Sequence, residues 1–141
     1  MMDMVVIPTA GLLMSTVPTT TFTAKRLAYS ILAVALAAAA VYEAVKHGTG
    51  YWQLGVFALA PDLPLLFGAG SGLGKGQLNP RAVPAYNLVH RFWGPVALAV
   101  VAALGLIPLG YLVGALVWGF HIALDRALGY GLRTRDGHQR S

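Results

Sequence analysis

The chain has 141 residues, of which 57% are hydrophobic and 11% charged, and its mean hydropathy is +0.65. A soluble domain carries about 25% charged residues, so this composition is typical of a membrane protein, and the length allows one compact unit. The absence of cysteine excludes disulfides and thiolate metal sites. The net charge of +5 comes from basic residues that flank apolar segments, so membrane orientation explains it better than nucleic-acid binding.

The sequence predicts an all-α, integral membrane bundle of about four transmembrane helices over residues 23–133. We expect a flexible or interfacial tail at 1–22, for which a misassigned start codon is the alternative, and a basic tail at 134–141. At about 1.5 Å per residue, the first apolar segment is long enough for a bilayer core of ~30 Å. The four segments run from Arg26 to about Val45, from Tyr51 to about Phe67, from Pro84 to about Ile107 and from Leu109 to about Leu128.

Prolines interrupt the second and third segments. Pro61 and Pro64 each remove a backbone donor, so the second helix should be broken, and Gly94-Pro95 should kink the third. Broken helices at membrane depth are tolerated where they line a cavity, and transporters place binding sites there, although a simple kink is the alternative. The tight bend near Ile107-Pro108 predicts an antiparallel hairpin of the third and fourth segments.

The basic residues lie almost entirely on one side of the predicted bundle. Nine of the ten Lys and Arg residues lie before the first segment, around the loop between the second and third, or near the end of the fourth, and only Lys46 lies on the other side. By the positive-inside rule, both termini and the long loop should be cytoplasmic. The predicted location is the cell membrane, with a multi-pass topology.

Four ionisable side chains lie inside the apolar segments, namely Asp62, His90, His121 and Asp125. Helix rise counted from the segment ends places all four in one layer near the cytoplasmic leaflet. Asn87 and His90 are three residues apart, and His121 and Asp125 four apart, so each pair shares a helical face. Because such groups are costly in hydrocarbon, their convergence from three segments indicates a functional site.

The chemistry of this cluster stays open at the level of sequence. Asp62, His90, His121 and Asp125 could bind zinc, manganese or ferrous iron, although their spacing is less specific than a His-Glu-x-x-His helix. Without a metal, His90 or His121 would act as general acid or base beside a carboxylate, because imidazole titrates near neutral pH. A salt bridge such as Asp125 with Arg91 is the purely structural alternative.

Polar neighbours complete the predicted site. Tyr86 and Asn87 would orient a substrate. Arg91 or Arg126 would hold an anionic group, reach phosphate headgroups or pair with a carboxylate. The Ala-rich face of the first segment would allow close helix packing, either within the bundle or between copies of the chain.

A second His–carboxylate pair lies away from the cluster. Glu43 and His47 are one turn apart near the end of the first segment, on the predicted far side of the membrane. We expect them at the membrane interface, with Tyr42 as an aromatic anchor.

Three patches of the sequence carry a family resemblance: Ala60-Pro61-Asp62-Leu63, Ala85-Tyr86-Asn87 through His90, and the run His121-x-x-x-Asp125-Arg126-x-x-Gly129-Tyr130-Gly131-Leu132-Arg133. Together they resemble a family of small bacterial integral membrane proteins known only as a domain of unknown function. The resemblance covers roughly residues 26–133, and its last run is the most specific. It implies a short four-helix membrane protein and no established activity. The resemblance implies an acidic residue early in the first helix of family members, where this chain instead has Tyr29.

Three functional hypotheses follow. The first is a membrane-embedded enzyme that performs acid–base or metal-assisted chemistry, such as hydrolysis, cyclisation or isomerisation, on a lipophilic small molecule. The second is a transporter-like or ion-conducting oligomer with the broken second helix as its binding element. The third is a non-catalytic adaptor whose polar residues lock the helices together. The expected partners are the lipid bilayer, a lipophilic substrate and further copies of the chain, with no nucleic acid.

Overall fold

The computed structural model describes residues 19–140, with side chains from residue 24 onward. Within these residues the fold is all-α, as predicted, and the one extended pairing is a bridge between Arg133 and Gln139. The predicted tail at 1–22 lies mainly outside the described residues. The elements are α1 (Thr19–His47), α2 (Tyr51–Leu59), a 3-10 turn (Ala60–Asp62), α3 (Leu63–Gly68), α4 (Val83–Val89), α5 (Trp93–Ala103) and α6 (Gly110–Leu128).

Helix α6 is the centre of the bundle, because α1, α2 and α5 all pack against it. Small residues on α6 let the neighbouring helices approach closely. A Cβ added at Gly114 would lie 2.8 Å from the Phe57 ring of α2, so only glycine fits at this crossing. Val113 and Val117 of α6 pack against buried alanines of α1 and form the core between these two helices.

Among the described residues, two helices are long and apolar enough to cross a membrane, judged by length and composition: residues Ala24–His47 of α1, and α6. Only 17% of the most apolar window of α1 is buried inside the structure. Its outward face leaves large side chains such as Ile31, Val34 and Val45 mostly exposed. Exposed apolar faces of this size mark contact with a membrane or another protein.

The second apolar segment is interrupted at its prolines, as the sequence predicts. Helix α2 ends at Leu59, a 3-10 turn follows, and α3 begins at Leu63. In such a turn the carbonyl of Ala58 would bond to the amide of residue 61, but Pro61 has no N–H. This carbonyl can therefore accept a hydrogen bond from a side chain of another helix.

The third segment is not the single kinked helix predicted from Pro84 to Ile107. Helix α4 ends at Val89, residues 90–92 form a turn, and α5 starts at Trp93. Pro95 explains the break, because it cannot donate to the carbonyl of residue 91 and its ring crowds that carbonyl. The break leaves the carbonyls just before it to be satisfied by side chains from α6.

The residues after α6 fold back onto the loop before α4. The amide of Leu78 donates to the carbonyl of Gly137 at 3.0 Å. Arg133 is buried, and its Nη1 donates to the carbonyls of Gly76 at 2.8 Å and Gly137 at 2.9 Å. The C-terminal segment described up to residue 140 is thus fixed against the bundle at the end of α6.

Candidate metal centre

Four side chains from three segments meet beside α6. Asp62 ends the 3-10 turn, His90 follows α4, and His121 and Asp125 lie one turn apart on α6. One ligand atom from each residue lies within 4.8 Å of all the others. The structure therefore brings together the four residues that the sequence places at one depth.

Five of the six distances between ligand atoms of this cluster are close to those around a small coordinated cation. His90 Nε2 lies 3.3 Å from His121 Nε2, 3.3 Å from Asp125 Oδ2 and 3.6 Å from Asp62 Oδ1. His121 Nε2 lies 3.4 Å from Asp62 Oδ1 and 3.7 Å from Asp125 Oδ2. Around a tetrahedral zinc ion with bonds of about 2.0–2.1 Å, neighbouring ligand atoms are about 3.4 Å apart. The five separations are close to that value.

Backbone carbonyls orient both imidazoles. His90 Nδ1 donates to the carbonyl of Tyr86 and His121 Nδ1 donates to the carbonyl of Ala58, each at 2.9 Å. Because a carbonyl can only accept, each Nδ1 carries a proton, and Nε2 of each ring faces the cluster. Histidines that bind metals usually have such a second hydrogen bond, which fixes their tautomer and orientation.

The cluster gathers four groups that can share protons or bind a cation. The two Nε2 atoms lie 3.3 Å from each other and 3.3–3.7 Å from the two carboxylate oxygens, a spacing at which lone pairs repel unless the groups share protons or a metal ion. A shared proton joins two of these atoms, whereas one divalent cation contacts all four. Two imidazoles with two carboxylates suit Zn²⁺, Mn²⁺ or Fe²⁺. The donor set fits the metal-binding hypothesis.

The cluster is closed around the histidines and open at one carboxylate. The side chain of His90 is 0% exposed, that of His121 10% and that of Asp125 17%, whereas that of Asp62 is 47% exposed. Metal sites that act on a substrate keep one side accessible to it. A substrate or water would therefore approach from the side of Asp62.

Tyr86 and Asn87 are engaged in internal contacts next to the cluster. The Tyr86 ring is buried and stacks on the His90 ring with centroids 3.9 Å apart, and the Arg133 guanidinium lies 5.1 Å from the Tyr86 centroid. Asn87 Nδ2 donates to the carbonyl of Arg133 at 2.9 Å, and Asn87 Oδ1 accepts from its amide at 2.7 Å. These contacts support His90, and the orientation of a substrate by Tyr86 and Asn87 stays a prediction.

The two arginines beside the cluster differ in their surroundings. Arg126 Nη2 donates to the carbonyl of His90 at 3.0 Å, and its Nη1 donates to that of Tyr130 at 3.0 Å. It thereby satisfies a carbonyl left by the break after α4. Arg91 is exposed. Among the described residues, the ion pairs of Asp125 are with the two imidazoles, so a salt bridge to Arg91 is not what holds this carboxylate.

Three features of the site are not among the residues predicted from sequence: Arg133 as a support and the two carbonyl acceptors. Arg133 closes the most specific motif of the family resemblance, which is a signal for a fixed side chain. The carbonyl of Ala58 has a signal in Pro61, three residues later. The carbonyl of Tyr86 has one in the four-residue spacing to His90, which places the ring beside it.

Two other His–carboxylate contacts lie outside the cluster. His47 Nε2 lies 3.1 Å from Glu43 Oε2 within α1, and His138 Nδ1 lies 3.1 Å from Asp136 Oδ2 in the C-terminal segment. In both, the partners are close in sequence and partly exposed. Within the described residues neither pair joins a third metal-ligating group.

The fold and the site together define an apolar, all-helical protein with two candidate membrane spans and a candidate His₂Asp₂ metal centre. The chain belongs to the family described as Domain of unknown function (DUF4260), whose family model matches residues 26–141. This confirms the resemblance to a domain of unknown function and extends the matched range to the C-terminal segment, whereas the three motifs and the bacterial origin stay predictions. The comparisons with curated proteins and with solved structures found no match. The family assigns no activity, so the function is argued from the site.

Proposed function

We propose that the protein is a membrane-embedded, metal-dependent hydrolase that acts on a lipophilic substrate. One observation carries this proposal: both histidines bind a backbone carbonyl through Nδ1, so that both Nε2 atoms face each other and two carboxylates. This orientation is suited to a cation. Ionisable groups held in this way inside an apolar bundle are expected at functional sites.

The proposed topology has four crossings with both termini on the cytoplasmic side. Helices α1 and α6 are each long enough to cross alone. Residues 51–68 and 83–103 would cross as interrupted helices of roughly 27 and 31 Å. Asp125 lies one turn before the end of α6, where the basic residues concentrate, so the centre would lie near the cytoplasmic leaflet.

A divalent ion in this centre would polarise an ester or phosphoester oxygen and activate water as the nucleophile. His90, His121 and Asp125 would hold the ion in the closed part of the site. Asp62 completes the donor set and, as its most exposed member, is the group that a substrate meets first. Hydrolysis needs no redox cofactor, because water supplies a hydroxyl to one product and a proton to the leaving alcohol.

Metal analysis of the detergent-purified protein tests the centre. We expect one zinc, manganese or iron ion per chain, and its loss in His121→Ala. Glu43→Gln is the matched control, because it removes a carboxylate beside a histidine outside the cluster. The metal centre is rejected if the folded chain contains no metal and takes up none of the three ions at micromolar concentrations.

Reconstitution tests the activity. The protein would be incorporated into vesicles made from a mixed phospholipid and isoprenoid lipid extract, and lipid products would be followed by mass spectrometry. We expect hydrolysis products that disappear with a chelator and in Asp62→Asn and His121→Ala. Proton or metal flux without products would favour a transporter instead. Loss of folding in every cluster variant, with neither products nor flux in the wild type, would favour an adaptor.

A further inference from the structure

A cavity of about 370 Å³ opens at the same end of α6 as the metal centre, between the start of α1 and the turn after α6. The described residues that line it include four cations and no carboxylate. We call it the basic pocket. A recess lined by several positive charges attracts anions. The four cations are Lys25, Arg26, Arg126 and Arg140.

Glycines in the turn after α6 make room for these cations. Gly129 ends α6 in the left-handed conformation, with φ of 95°. A Cβ at this position would collide with the guanidinium of Arg26, which donates to the carbonyl of Leu128 at 3.2 Å. A Cβ at Gly131 would lie 3.3 Å from the carbonyl oxygen of Arg140. The Gly-Tyr-Gly turn therefore lets the arginines of α1 and the C-terminal segment converge.

An apolar groove follows the same two helices. This cavity of about 880 Å³ is lined by the Ala-rich face of α1 and by Phe120 and Leu124 of α6. Ser30, at one end of the groove, follows Arg26 of the basic pocket by one helical turn, so both cavities share a face of α1. From Ser30 to Val45 the groove extends about 22 Å along α1, which is more than half of a ~30 Å bilayer core.

We propose that the basic pocket and the apolar groove together bind one anionic lipid, with its phosphate among the cations and an acyl chain in the groove. Arginine presents donors in a fork that matches phosphate oxygens, and basic recesses between membrane helices bind lipid headgroups. A free phosphate would use the pocket alone and leave the groove unexplained. A lipid accounts for both cavities, which is why we assign it as the occupant.

As an assignment of substrate class, this inference rests on the proposed function. Arg126 connects the two sites: it lines the basic pocket, and its Nη2 donates to the carbonyl of His90. It also follows Asp125 directly on α6, about 100° around the helix axis from it. The basic pocket and the groove contain none of the four cluster residues, so a phosphate-bearing lipid bound there is the substrate only if its ester bonds reach the centre from the side of Asp62.

Native mass spectrometry of the detergent-purified chain tests the binding without requiring turnover. The probes are dioleoylphosphatidic acid, dioleoylphosphatidylcholine and inorganic phosphate. We expect phosphatidic acid to bind at least about tenfold more tightly than phosphatidylcholine, and the double variant Lys25→Gln/Arg140→Gln to lose about tenfold or more of that affinity. Both residues are exposed, so the fold should be retained. Lys75→Gln/Arg81→Gln removes the same charge from the loop and should bind like the wild type.

The groove is tested by narrowing it. Ala38 lines the groove and Ala35 does not, and both are exposed on α1. Ala38→Phe should weaken the binding of phosphatidic acid while leaving that of glycerol 3-phosphate unchanged, and Ala35→Phe should change neither. The lipid assignment is overturned if Ala38→Phe has no effect, or if inorganic phosphate displaces the lipid at equal concentration.

Further outcomes separate this inference from the proposed function. Equal binding of both lipids to the wild type and to Lys25→Gln/Arg140→Gln would overturn the lipid site. A dimer that excludes lipid would also overturn it, because a second copy would then cover the groove. Selective lipid binding without any metal-dependent product would reject the hydrolase and leave the lipid site intact. Metal-dependent hydrolysis with no headgroup preference would support the hydrolase and overturn the lipid site.

Discussion

Helix α1 ends with a histidine beside a carboxylate, and the candidate metal centre contains two histidines beside two carboxylates. The contact on α1 is the shorter one: His47 Nε2 lies 3.1 Å from Glu43 Oε2, whereas the His–Asp distances in the centre are 3.3–3.7 Å. Judged by distance alone, the α1 pair would therefore be the stronger candidate for a metal site. The surroundings of the two regions instead favour the cluster of two histidines and two aspartates.

The number of contributing segments and the second ring nitrogen separate the two regions. Glu43 and His47 lie on one helical turn, and both are partly exposed. The centre combines three segments around a fully buried His90. The Nδ1 atoms of His90 and His121 are each hydrogen-bonded to a backbone carbonyl. A lone pair that is fixed toward other ligand atoms is what distinguishes a candidate metal centre from a surface pair.

Among the proposed variants, removal of the His121 side chain should lower metal affinity the most. Alanine removes one of the two Nε2 atoms and leaves His90 with the carboxylates. We expect metal affinity to fall by more than the roughly 10–100-fold that loss of a supporting residue costs. Metal content and competition with a fluorescent chelator measure the change. Glu43→Gln serves as control, and equal metal binding by the two variants would show that the regions do not differ in the proposed way.

Restoring an amide at position 61 should have a smaller effect, because it acts on the orientation of a ligand. In Pro61→Ala the new N–H can bond to the carbonyl of Ala58 and compete with Nδ1 of His121. We expect metal affinity about tenfold lower, near the lower end of the range for second hydrogen bonds of ligands. Pro64→Ala adds an amide elsewhere in the same broken helix and should preserve the affinity. If both variants bind metal like the wild type, the carbonyl does not orient the ring.

Helix periodicity and rise were sufficient to predict that the polar groups would meet. The four-residue spacing of His121 and Asp125 places them on a common helix face. The rise per residue places Asp62 and His90 at the same level along the bundle. The tautomer of His121 could not be predicted in this way. It depends on the carbonyl of Ala58, which is 63 positions away in sequence, and only the packed structure brings the two together.

The extent of the break after α4 and the fold of the C-terminal segment could likewise not be predicted from local sequence patterns. Gly94-Pro95 predicts a disturbance, but its extent depends on long-range donors: Trp118 Nε1 bonds to the carbonyl of Val89 at 2.7 Å, and Arg126 to that of His90. A basic C-terminal sequence is compatible with a solvated tail. Burial of Arg133 follows from acceptors in a distant loop, which composition cannot reveal.

Loss of the Asn87 side chain tests how far the support of the metal centre extends. Asn87→Ala removes two hydrogen bonds to the backbone of Arg133 and should cost about 1–3 kcal/mol of the stability of the C-terminal segment. Hydrogen exchange over residues 131–140 measures this loss. We expect metal affinity to fall less than in Pro61→Ala, because His90 keeps its bond to Tyr86. Asn79→Ala removes a local contact only and is the control.

The third His–carboxylate contact, Asp136 with His138, should give the smallest effect. Hydrogen bonds from the Thr134 hydroxyl and then from His138 lower the pKa of the exposed Asp136 carboxyl. The ionised form therefore stabilises the turn. This contribution is present above the ordinary aspartate pKa and is lost as pH falls through the lowered value in the folded protein. Hydrogen exchange of residues 134–138, corrected for intrinsic rates, should show protection that declines on acidification.

Asp136→Asn should remove this pH dependence while leaving metal content at neutral pH unchanged, because the turn contributes no ligand to the centre. The effect should be small, since an exposed group is screened by solvent. A loss of metal in this variant would contradict the comparison, because a pair that is local in sequence would then control a centre built from three segments. Unchanged metal with altered exchange would place Asp136 and His138 with Glu43 and His47, as surface pairs without a role in the centre.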